Sequence, residues 1–465
     1  MARVDPALLL ADIGSQLAAL ARGELRSIDL VERQLAVIGA SQPQLNSFLA
    51  LDPEGARAAA RAADARRAVG RAGALEGVVI AVKDNIDVAG MVTSAGMATR
   101  SQAAPASADN PAVARLRAAG AVLIGKLNMH EAALGADNNN PHYGACHNPH
   151  RPGFTPGGSS GGSGAAVAAG LCVAALGTDS MGSVRIPAAY CGVFGLKPSW
   201  GAISTRGTVP VSRRLDHIGP LARSARDLGL LLRVMAGCDP ACAQSRAIEF
   251  AAPQEGLLRI GVIDFGDAVA IDAPVQAAFE QGLAALLEAG HRRVDLAGPG
   301  FDPGRARRAG LLLCEAEMLV EHASDWTDSR ELFSPGLAAM LAWAEGKSAA
   351  DLAAAERLLD QAQVQLQQWL AQCDVLAMPS TPQTAFGFGS PVPANQADLT
   401  AWANMAGCPA LSLPLPVAAG ELPIGMQLVG QIGDDLRLVA LAEALQAALA
   451  IKPELPPACL SWWPR

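Results

Sequence analysis

The sequence predicts a protein of the α/β class that forms one large domain. Short buried runs of apolar and β-branched residues alternate with alanine-rich segments of helical periodicity, a rhythm typical of β-α-β units. No change of composition and no linker rich in Pro, Gly and Ser divides the 465 residues. Length alone allows either two or three domains or one wide sheet. The continuous pattern favours a single domain over residues 1–465.

The first segments predict helices followed by a buried strand that ends in a lysine. Apolar residues recur at helical spacing from about 7 to 40, with Gly23 as a break, and 56–69 predicts an Ala/Arg helix. The run 77–82 is wholly apolar and predicts a buried strand, which ends at Lys83. Active-site residues collect at the carboxyl ends of strands in open α/β sheets, although a strand-end lysine by itself is more often only solvated.

The next segment repeats this unit and continues into a polar loop. A helix is predicted at 112–119 and a buried strand at 121–125. The histidines that follow, His142, His147 and His150, raise the question of a metal site. Their spacing lacks a helical i, i+4 pair and acidic co-ligands, which favours a hydrogen-bonded surface loop that covers a site.

The stretch 155–196 holds two serines in glycine-rich turns, and the rest of the chain is arranged around it. The run GGSSGGS at 157–163 has too little bulk for a core segment and too much glycine for a helix interior, so it predicts a loop that a ligand approaches closely. The turn GTDSMGS at 177–183 follows the apolar run 165–176 and presents backbone N–H groups around Ser183. Two serine loops separated by one short apolar element predict one shared site.

The second half of the chain predicts more strands and helices without a repeat. His217, in a segment predicted as loops and a helix start (212–227), can in principle act as the base of a Ser-His-Asp arrangement, but its spacing gives no support for that role. The main motifs thus fall within 77–227. The remaining segments predict a strand at 259–263, a helix at 275–289, pocket-forming helices over about 305–372 with a break near 334–336, and C-terminal strands and a helix over 374–450.

Composition excludes several classes of function. A net charge of −8 without a Lys/Arg-dense block argues against a nucleic-acid partner. No apolar run reaches the roughly 18 residues of a membrane span, and the N-terminus lacks a basic secretory n-region, so we expect a cytoplasmic protein without a membrane partner. The nine cysteines are scattered, and even the nearest two, Cys238 and Cys242, lack partner ligands; reduced structural thiols, no metal and no cofactor are expected.

Three motifs together closely resemble those of the amidase signature family. They are GVVIAVKDNIDVAG with Lys83, TPGGSSGGS with Ser159, and GTDSMGSVRIPAAYCGVFGLKP with Ser183. A GGSS run alone is a weak signal, because such runs are often linkers, but three motifs in the same order are specific. Further blocks that look like the family lie at 125–131, 148–149, 216–227, 373–382, 404–414 and 422–430.

The resemblance implies a fold and a catalytic set. The implied fold is an α/β/α domain with a central twisted mixed β-sheet covered by helices on both faces. The implied triad has Ser183 as nucleophile, Ser159 as the bridging serine and Lys83 as the base, with a cis peptide between Gly158 and Ser159. A serine hydroxyl needs a neighbour that takes its proton, and a lysine can do so only when burial lowers its pKa.

The turn that holds Ser183 also predicts an oxyanion hole, because side-chain-poor turns present several N–H groups at once. The predicted donors are the backbone N–H groups of Ser180, Met181, Gly182 and Ser183. Supporting roles are assigned to Gly158, Ser160, Thr178, Asp179 and Arg185; the alternative for the last two is a plain surface ion pair, worth little. The chain departs from the family at Met181, where a small residue is common, and at Leu415-Pro416, where a glycine is common.

The resulting hypothesis is an amidohydrolase that cleaves the C–N bond of a small carboxamide to carboxylate plus ammonia or amine through an acyl-enzyme. The alternative is the catalytic A-type subunit of a tRNA-dependent glutamyl/aspartyl amidotransferase, which shares the triad. A nucleotide binder that uses GGSSGGS as a phosphate cradle fails, because the run lacks a GK[ST] ending and an acidic residue for ribose. The expected partner is a small-molecule amide, and a homodimer is left open.

Overall fold

The computed structural model describes residues 6–252, 256–452 and 454–463. Its strands are β1 (Phe48–Leu51), β2 (Val79–Lys83), β3 (Val122–Leu127), β4 (Ala174–Asp179), β5 (Phe194–Lys197), β6 (His217–Ala222), β7 (Arg259–Ile263), β8 (Arg292–Leu296), β9 (Val375–Pro379), β10 (Ala410–Leu415) and β11 (Ile424–Val429). Its α-helices are α1 (Pro6–Leu10), α2 (Ile13–Arg22), α3 (Ser27–Leu45), α4 (Pro53–Ala68), α5 (Pro111–Ala118), α6 (Gly161–Ala168), α7 (Arg185–Cys191), α8 (Ala225–Met235), α9 (Ala273–Glu288), α10 (Pro303–Glu321), α11 (Ala323–Asp328), α12 (Pro335–Glu345), α13 (Ala349–Leu370), α14 (Ala401–Met405) and α15 (Asp435–Ala448).

The strands of the described ranges form one eleven-stranded sheet in the order β1-β3-β2-β4-β6-β5-β10-β11-β9-β7-β8. β3, β2 and β4 run parallel to one another, as do β9, β7 and β8, whereas the strands between these groups and the edge strand β1 pair antiparallel. Strands β2, β3 and β4 are buried along their whole length, as expected where helices cover both faces. The predicted mixed sheet flanked by helices is confirmed.

The predicted helices and strands occur with end shifts of a few residues, but five strands lie outside the prediction. The strand predicted at 259–263 is β7, and helix α2 ends at Gly23, where φ is +73°. Strands β1, β4, β5, β6 and β8 are additional. Strand β4 takes in the end of the apolar run 165–176 and the start of the predicted turn at 177–183, and β6 lies where the sequence predicts loops and a helix start. Strand β5 lies where no strand is predicted. The polar residues of β5 and β6 explain why these two strands are missed. Both strands bury polar ends: Lys197 Nζ lies 3.1 Å from Nε2 of His217. Such buried polar residues interrupt the run of apolar residues by which a buried strand is predicted from sequence.

The glycine-rich run at 157–163 is only partly the loop that the sequence predicts. Residues from Gly161 onward begin α6, which is buried along its whole length. Its glycines allow backbone to approach backbone: a Cβ on Gly162 would lie 2.3 Å from the carbonyl oxygen of Asn128. Glycine in this helix is therefore required by tight packing, which offsets its poor helix propensity.

The parallel pair β2 and β4 brings two of the motifs together at one edge of the sheet. In register, Val82 lies opposite Leu176, so Lys83 and Asp179 end neighbouring strands at the same carboxyl edge. Helices α10 to α13 pack as a separate apolar layer beside this edge. We keep the single domain over residues 1–465 as a prediction. Within the described residues, no helix is both long and apolar enough to cross a membrane.

Candidate active site

Lys83 lies at the end of β2, fully buried, with its ammonium group between two hydroxyl groups. Its Nζ donates hydrogen bonds to Oγ of Ser159 and to Oγ1 of Thr178, each at 2.7 Å. Burial lowers the pKa of Lys83 to about 7, although the negative charges of Asp179 and Asp216 act to raise it. A lysine in this environment exchanges protons near neutral pH, as a general base must.

The two serine loops lie against each other. The Gly158–Ser159 peptide is cis, as the resemblance implies, and the Ser160 N–H donates to the carbonyl oxygen of Ser183 at 3.3 Å. The hydroxyl of Ser160 bonds in turn to the carbonyl oxygen of Thr178 at 3.1 Å. A Cβ on Gly158 would lie 2.8 Å from the carbonyl oxygen of Gly135, so the close approach of this loop to its neighbour requires glycine. Thus the structure brings together all three motifs predicted to share a site.

The turn that carries Ser183, residues 179–185, is held from inside by Asp179 and Arg185. Arg185 donates from Nε to Oδ2 and from Nη2 to Oδ1 of Asp179, both at 3.0 Å, and neither side chain is exposed. The same carboxylate accepts the N–H of Gly182 at 2.7 Å and that of Val184 at 3.2 Å. Burial alone would raise the pKa of Asp179, but the charge and hydrogen bonds of Arg185 outweigh it and hold that pKa well below its usual range. Asp179 and Arg185 therefore form a buried ion pair and not the surface ion pair considered as the alternative.

The Gly182 N–H is therefore engaged within the turn. It is one of the four predicted oxyanion donors, so the structure leaves the N–H groups of Ser180, Met181 and Ser183 as the candidates. The hydroxyl of Ser180 is held separately, at 2.5 Å from Oδ1 of Asp216. Asp216 has no role assigned from the sequence, yet it anchors this side of the turn.

Residues more than 200 positions downstream hold the same turn from outside, and the motifs assign them no role. Oγ1 of Thr400 donates to the carbonyl oxygen of Met181 at 2.7 Å, and Nδ2 of Asn404 donates to the carbonyl oxygen of Asp179 at 2.9 Å. Nη1 of Arg185 donates to Oε1 of Gln427 at 3.0 Å. One feature of the sequence could have identified two of these residues: Asn404 and Gln427 lie in the blocks that resemble the family, at 404–414 and 422–430.

A cavity of about 320 Å³ opens beside Ser183, which is itself half-buried. Most of its lining is apolar, with walls from α10, α12 and the segment 392–397. Met181, the departure from the family pattern, is part of this lining. Its sulfur lies close to α10, since a Cβ added at Gly310 would be 3.0 Å from it. The side chain of Met181 thus fills space between the turn and the helix layer, as its size predicts.

The histidines considered as metal ligands or as a catalytic base make contacts that fit neither role. His217 is buried, and its ring nitrogens contact Nζ of Lys197 and the carbonyl oxygens of Leu215 and Asp179. His142 bonds to Glu131, and Nε2 of His150 bonds to the carbonyl oxygen of Cys191. In the described part of the chain, no group of three or more His, Cys, Asp or Glu is placed to hold a metal ion. All nine cysteines are unpaired.

A wide mixed sheet with a buried lysine bonded to one serine loop, which contacts a second serine loop that lines a cavity, is typical of an α/β enzyme. The family described as Amidase matches residues 29–439, so the chain belongs to the amidase family, enzymes that act on C–N bonds. This result confirms the resemblance seen in the motifs.

Similar proteins and solved structures align with nearly the whole of this chain. A protein of Anaeromyxobacter sp. (strain K), named as the A-type subunit of glutamyl-tRNA(Gln) amidotransferase, is 39% identical over 94% of this chain and 96% of its own length. An inhibitor-bound structure of an s-triazine catabolic enzyme, described with a vestigial protein complex, is 34% identical, with a TM-score of 0.88 over 95% of this chain and 99% of that one. The corresponding glutamyl-tRNA(Gln) amidotransferase chain of Thermotoga maritima is 27% identical, with a TM-score of 0.78 over 95% and 96% of the two chains.

Proposed function

We propose that the protein hydrolyses the C–N bond of a carboxamide through an acyl-enzyme on Ser183. The single observation that carries this proposal is the 2.7 Å hydrogen bond between the buried Lys83 and Ser159, in a loop that contacts the Ser183 turn. A neutral Lys83 accepts the proton of Ser159, while Ser159 accepts the proton of Ser183 as its oxygen attacks the carbonyl carbon. A relay of this kind needs no histidine.

The later steps reverse the proton path. The C–N bond breaks as the proton returns through Ser159 to the departing nitrogen, which leaves as ammonia or amine. Water then attacks the acyl ester, and Ser183 regains its proton as the carboxylate is released. We assign stabilisation of the oxyanion to the N–H groups of Ser180, Met181 and Ser183, and removal of one such donor typically costs about 3 kcal/mol of barrier.

The Ser183→Ala variant tests the proposal. We expect turnover of primary amides to fall by at least about 10⁴-fold, the scale seen when a catalytic nucleophile is removed. Mass spectrometry should detect a covalent acyl adduct on Ser183 in the wild type, and hydroxylamine should trap the acyl group as a hydroxamate. The exposed serine variant Ser101→Ala is the matched control and should keep full activity. Unchanged activity in Ser183→Ala would overturn the assignment.

A second candidate is the catalytic A-type subunit of a tRNA-dependent amidotransferase. The name of the 39% identical relative supports this candidate more strongly than a free-standing amidase. The apolar lining of the cavity is the observation that supports an independent amidase with a simple acyl substrate. In the amidotransferase case the amide is that of glutamine, and a partner subunit receives the ammonia.

Purification decides between the two candidates. Glutamine hydrolysis that requires co-purified subunits supports the amidotransferase, whereas full turnover of simple amides by the chain alone, as monomer or homodimer, supports the amidase. A homodimer stays a prediction until the mass of the active species is measured by light scattering.

A further inference from the structure

One arginine stands in the wall of the cavity beside Ser183. Among the described residues that line this cavity, Arg307 alone carries a guanidinium or ammonium group. Its side chain is only 18% exposed and lies among mostly apolar neighbours. A cation in such surroundings is costly unless anionic groups contact it. The position therefore needs at least one anionic partner, and Asp398 supplies it.

The spacing of α10 places Arg307 on the face directed at the cavity. Arg307, Leu311 and Cys314 all line it, and their i, i+4, i+7 spacing puts them on one face of a helix. Gly310 on the same helix faces Met181 of the Ser183 turn, since a Cβ added at Gly310 would lie 3.0 Å from the Met181 sulfur. Because a helix rises about 1.5 Å per residue, Arg307 lies about 4.5 Å along the axis from the level of that contact. Arg307 and Ser183 line the same cavity, so an acyl group on Ser183 shares this space with the guanidinium group.

A buried carboxylate fixes the guanidinium without using all of its donors. Nε of Arg307 donates to Oδ1 of Asp398 at 2.6 Å, and Asp398 is 7% exposed. The backbone carbonyl oxygen of Asp398 accepts the indole N–H of Trp402 at 2.8 Å, which anchors it to α14. Within the described ranges, the bond to Asp398 is the hydrogen bond recorded for this guanidinium, which has five N–H donors. The remaining donors form a fork that suits a planar carboxylate.

We infer that Arg307 binds a carboxylate on the acyl part of the substrate, so that the substrates are short amides with a second, anionic end. This inference rests on the proposed acyl-enzyme at Ser183. The apolar walls contact the methylene groups between the two ends, and Arg307 fixes the far end. Monoamides of short dicarboxylic acids and glutamine both belong to this class, so the inference holds for either candidate function.

The test compares carboxylated amides with neutral counterparts of the same carbon-chain length. Malonamate, succinamate and glutaramate are paired with propionamide, butyramide and pentanamide. We expect wild-type kcat/KM to be at least about tenfold higher for one carboxylated amide than for its neutral partner, since a charged hydrogen bond is worth about one decade or more. Arg307→Met should remove that preference, measured as the ratio of kcat/KM for a carboxylated amide to that for its neutral partner. Arg305→Met, on the exposed side of the same helix, is the matched control and should retain the preference.

Two further measurements keep the test decisive. Because Arg307→Met leaves Asp398 buried without its partner, the double variant Arg307→Met/Asp398→Asn removes the pair as a unit and should show the same loss of preference. Calorimetric binding of succinate and butyrate to Ser183→Ala protein is independent of turnover and should favour succinate by about tenfold when Arg307 is present. Equal kcat/KM of the wild type for carboxylated and neutral amides, together with equal binding of succinate and butyrate to Ser183→Ala protein, would overturn the inference. Failure of the acyl-enzyme proposal looks different, since Ser183→Ala would then stay active whatever the effect of Arg307.

Discussion

Lys83 links the protonation state of one buried amine to the rate of the proposed reaction. Because burial lowers its pKa to about 7, the neutral base is the main form only above that pH. We expect kcat/KM to rise about tenfold per pH unit below pH 7 and to level off above it, since the protonated amine cannot accept a proton. A pH–rate profile from about pH 5 to 9 measures this.

The matched variant is Lys83→Met, which keeps most of the length of the side chain and removes the amine. Its residual activity should be low and should lose the rise near pH 7. A wild-type profile that is flat between about pH 5.5 and 8 would contradict the assignment of Lys83 as the base.

At the residue scale, the sequence predicts the central groups and misses their supports. Lys83, Ser159 and Ser183 lie in short, contiguous motifs, so a single sequence is enough to select them. Thr400 and Asn404 reach the same turn through folding alone, with more than 200 residues between. Nothing local in their sequence marks a hydrogen bond to a carbonyl group that far away.

At the scale of elements, α14 acts on the Ser183 turn as a unit. Thr400, at its N-terminus, and Asn404, one turn later, each hold a different carbonyl group of the turn. Thr400→Val keeps the shape and leaves the carbonyl of Met181 without that donor. An unsatisfied buried acceptor costs about 1–3 kcal/mol, so we expect kcat to fall about 5- to 100-fold with little change in KM, measured by steady-state kinetics.

The exposed variant Thr327→Val on α11 serves as the control and should leave both constants unchanged. If Thr400→Val lowers the melting temperature but leaves kcat intact, α14 supports only the fold and does not position the turn.

The elements themselves are predictable where one physical rule governs them. Apolar strands such as β2 and β7 follow from burial on both faces. Strands β5 and β6 and the glycine-bearing start of α6 obey tertiary contacts instead, through the Lys197–His217 pair and through backbone packed on backbone. Such contacts override local propensity and cannot be read from neighbouring residues.

For the whole molecule, buried lysines make the free energy of unfolding depend on pH. Burial lowers the pKa of both Lys83 and Lys197 to about 7, whereas unfolded lysines titrate near 10.4. Between these values the unfolded state binds more protons, so the free energy of unfolding rises with pH. We expect an increase on the order of 1 kcal/mol per pH unit for each lysine between about pH 7 and 8.5, measured by urea unfolding.

The upper limit of this window comes from buried thiols, because burial raises the pKa of Cys172 to about 12 and such groups oppose the trend once unfolded cysteines ionise. Lys197→Met is the informative variant, since it should flatten the slope without removing a proposed catalytic group. Stability that stays constant or falls from pH 7 to 8.5 would contradict the picture of neutral buried amines.

The order of strands in the sheet has a consequence for how the chain is made. The hairpin of β10 and β11 lies between β5, from the first half of the sequence, and β9. Until residues 400–429 have been synthesised and have folded onto the sheet, β5 lacks its partner strand β10, and Arg185 lacks its contacts with Thr400, Asn404 and Gln427. Open edges invite pairing with other chains, so we expect a nascent chain that lacks these residues to be prone to aggregation. A prematurely terminated chain would therefore combine an unpaired edge strand with an incompletely held Ser183 turn. We expect such a chain to be inactive and to be removed by chaperones and proteases.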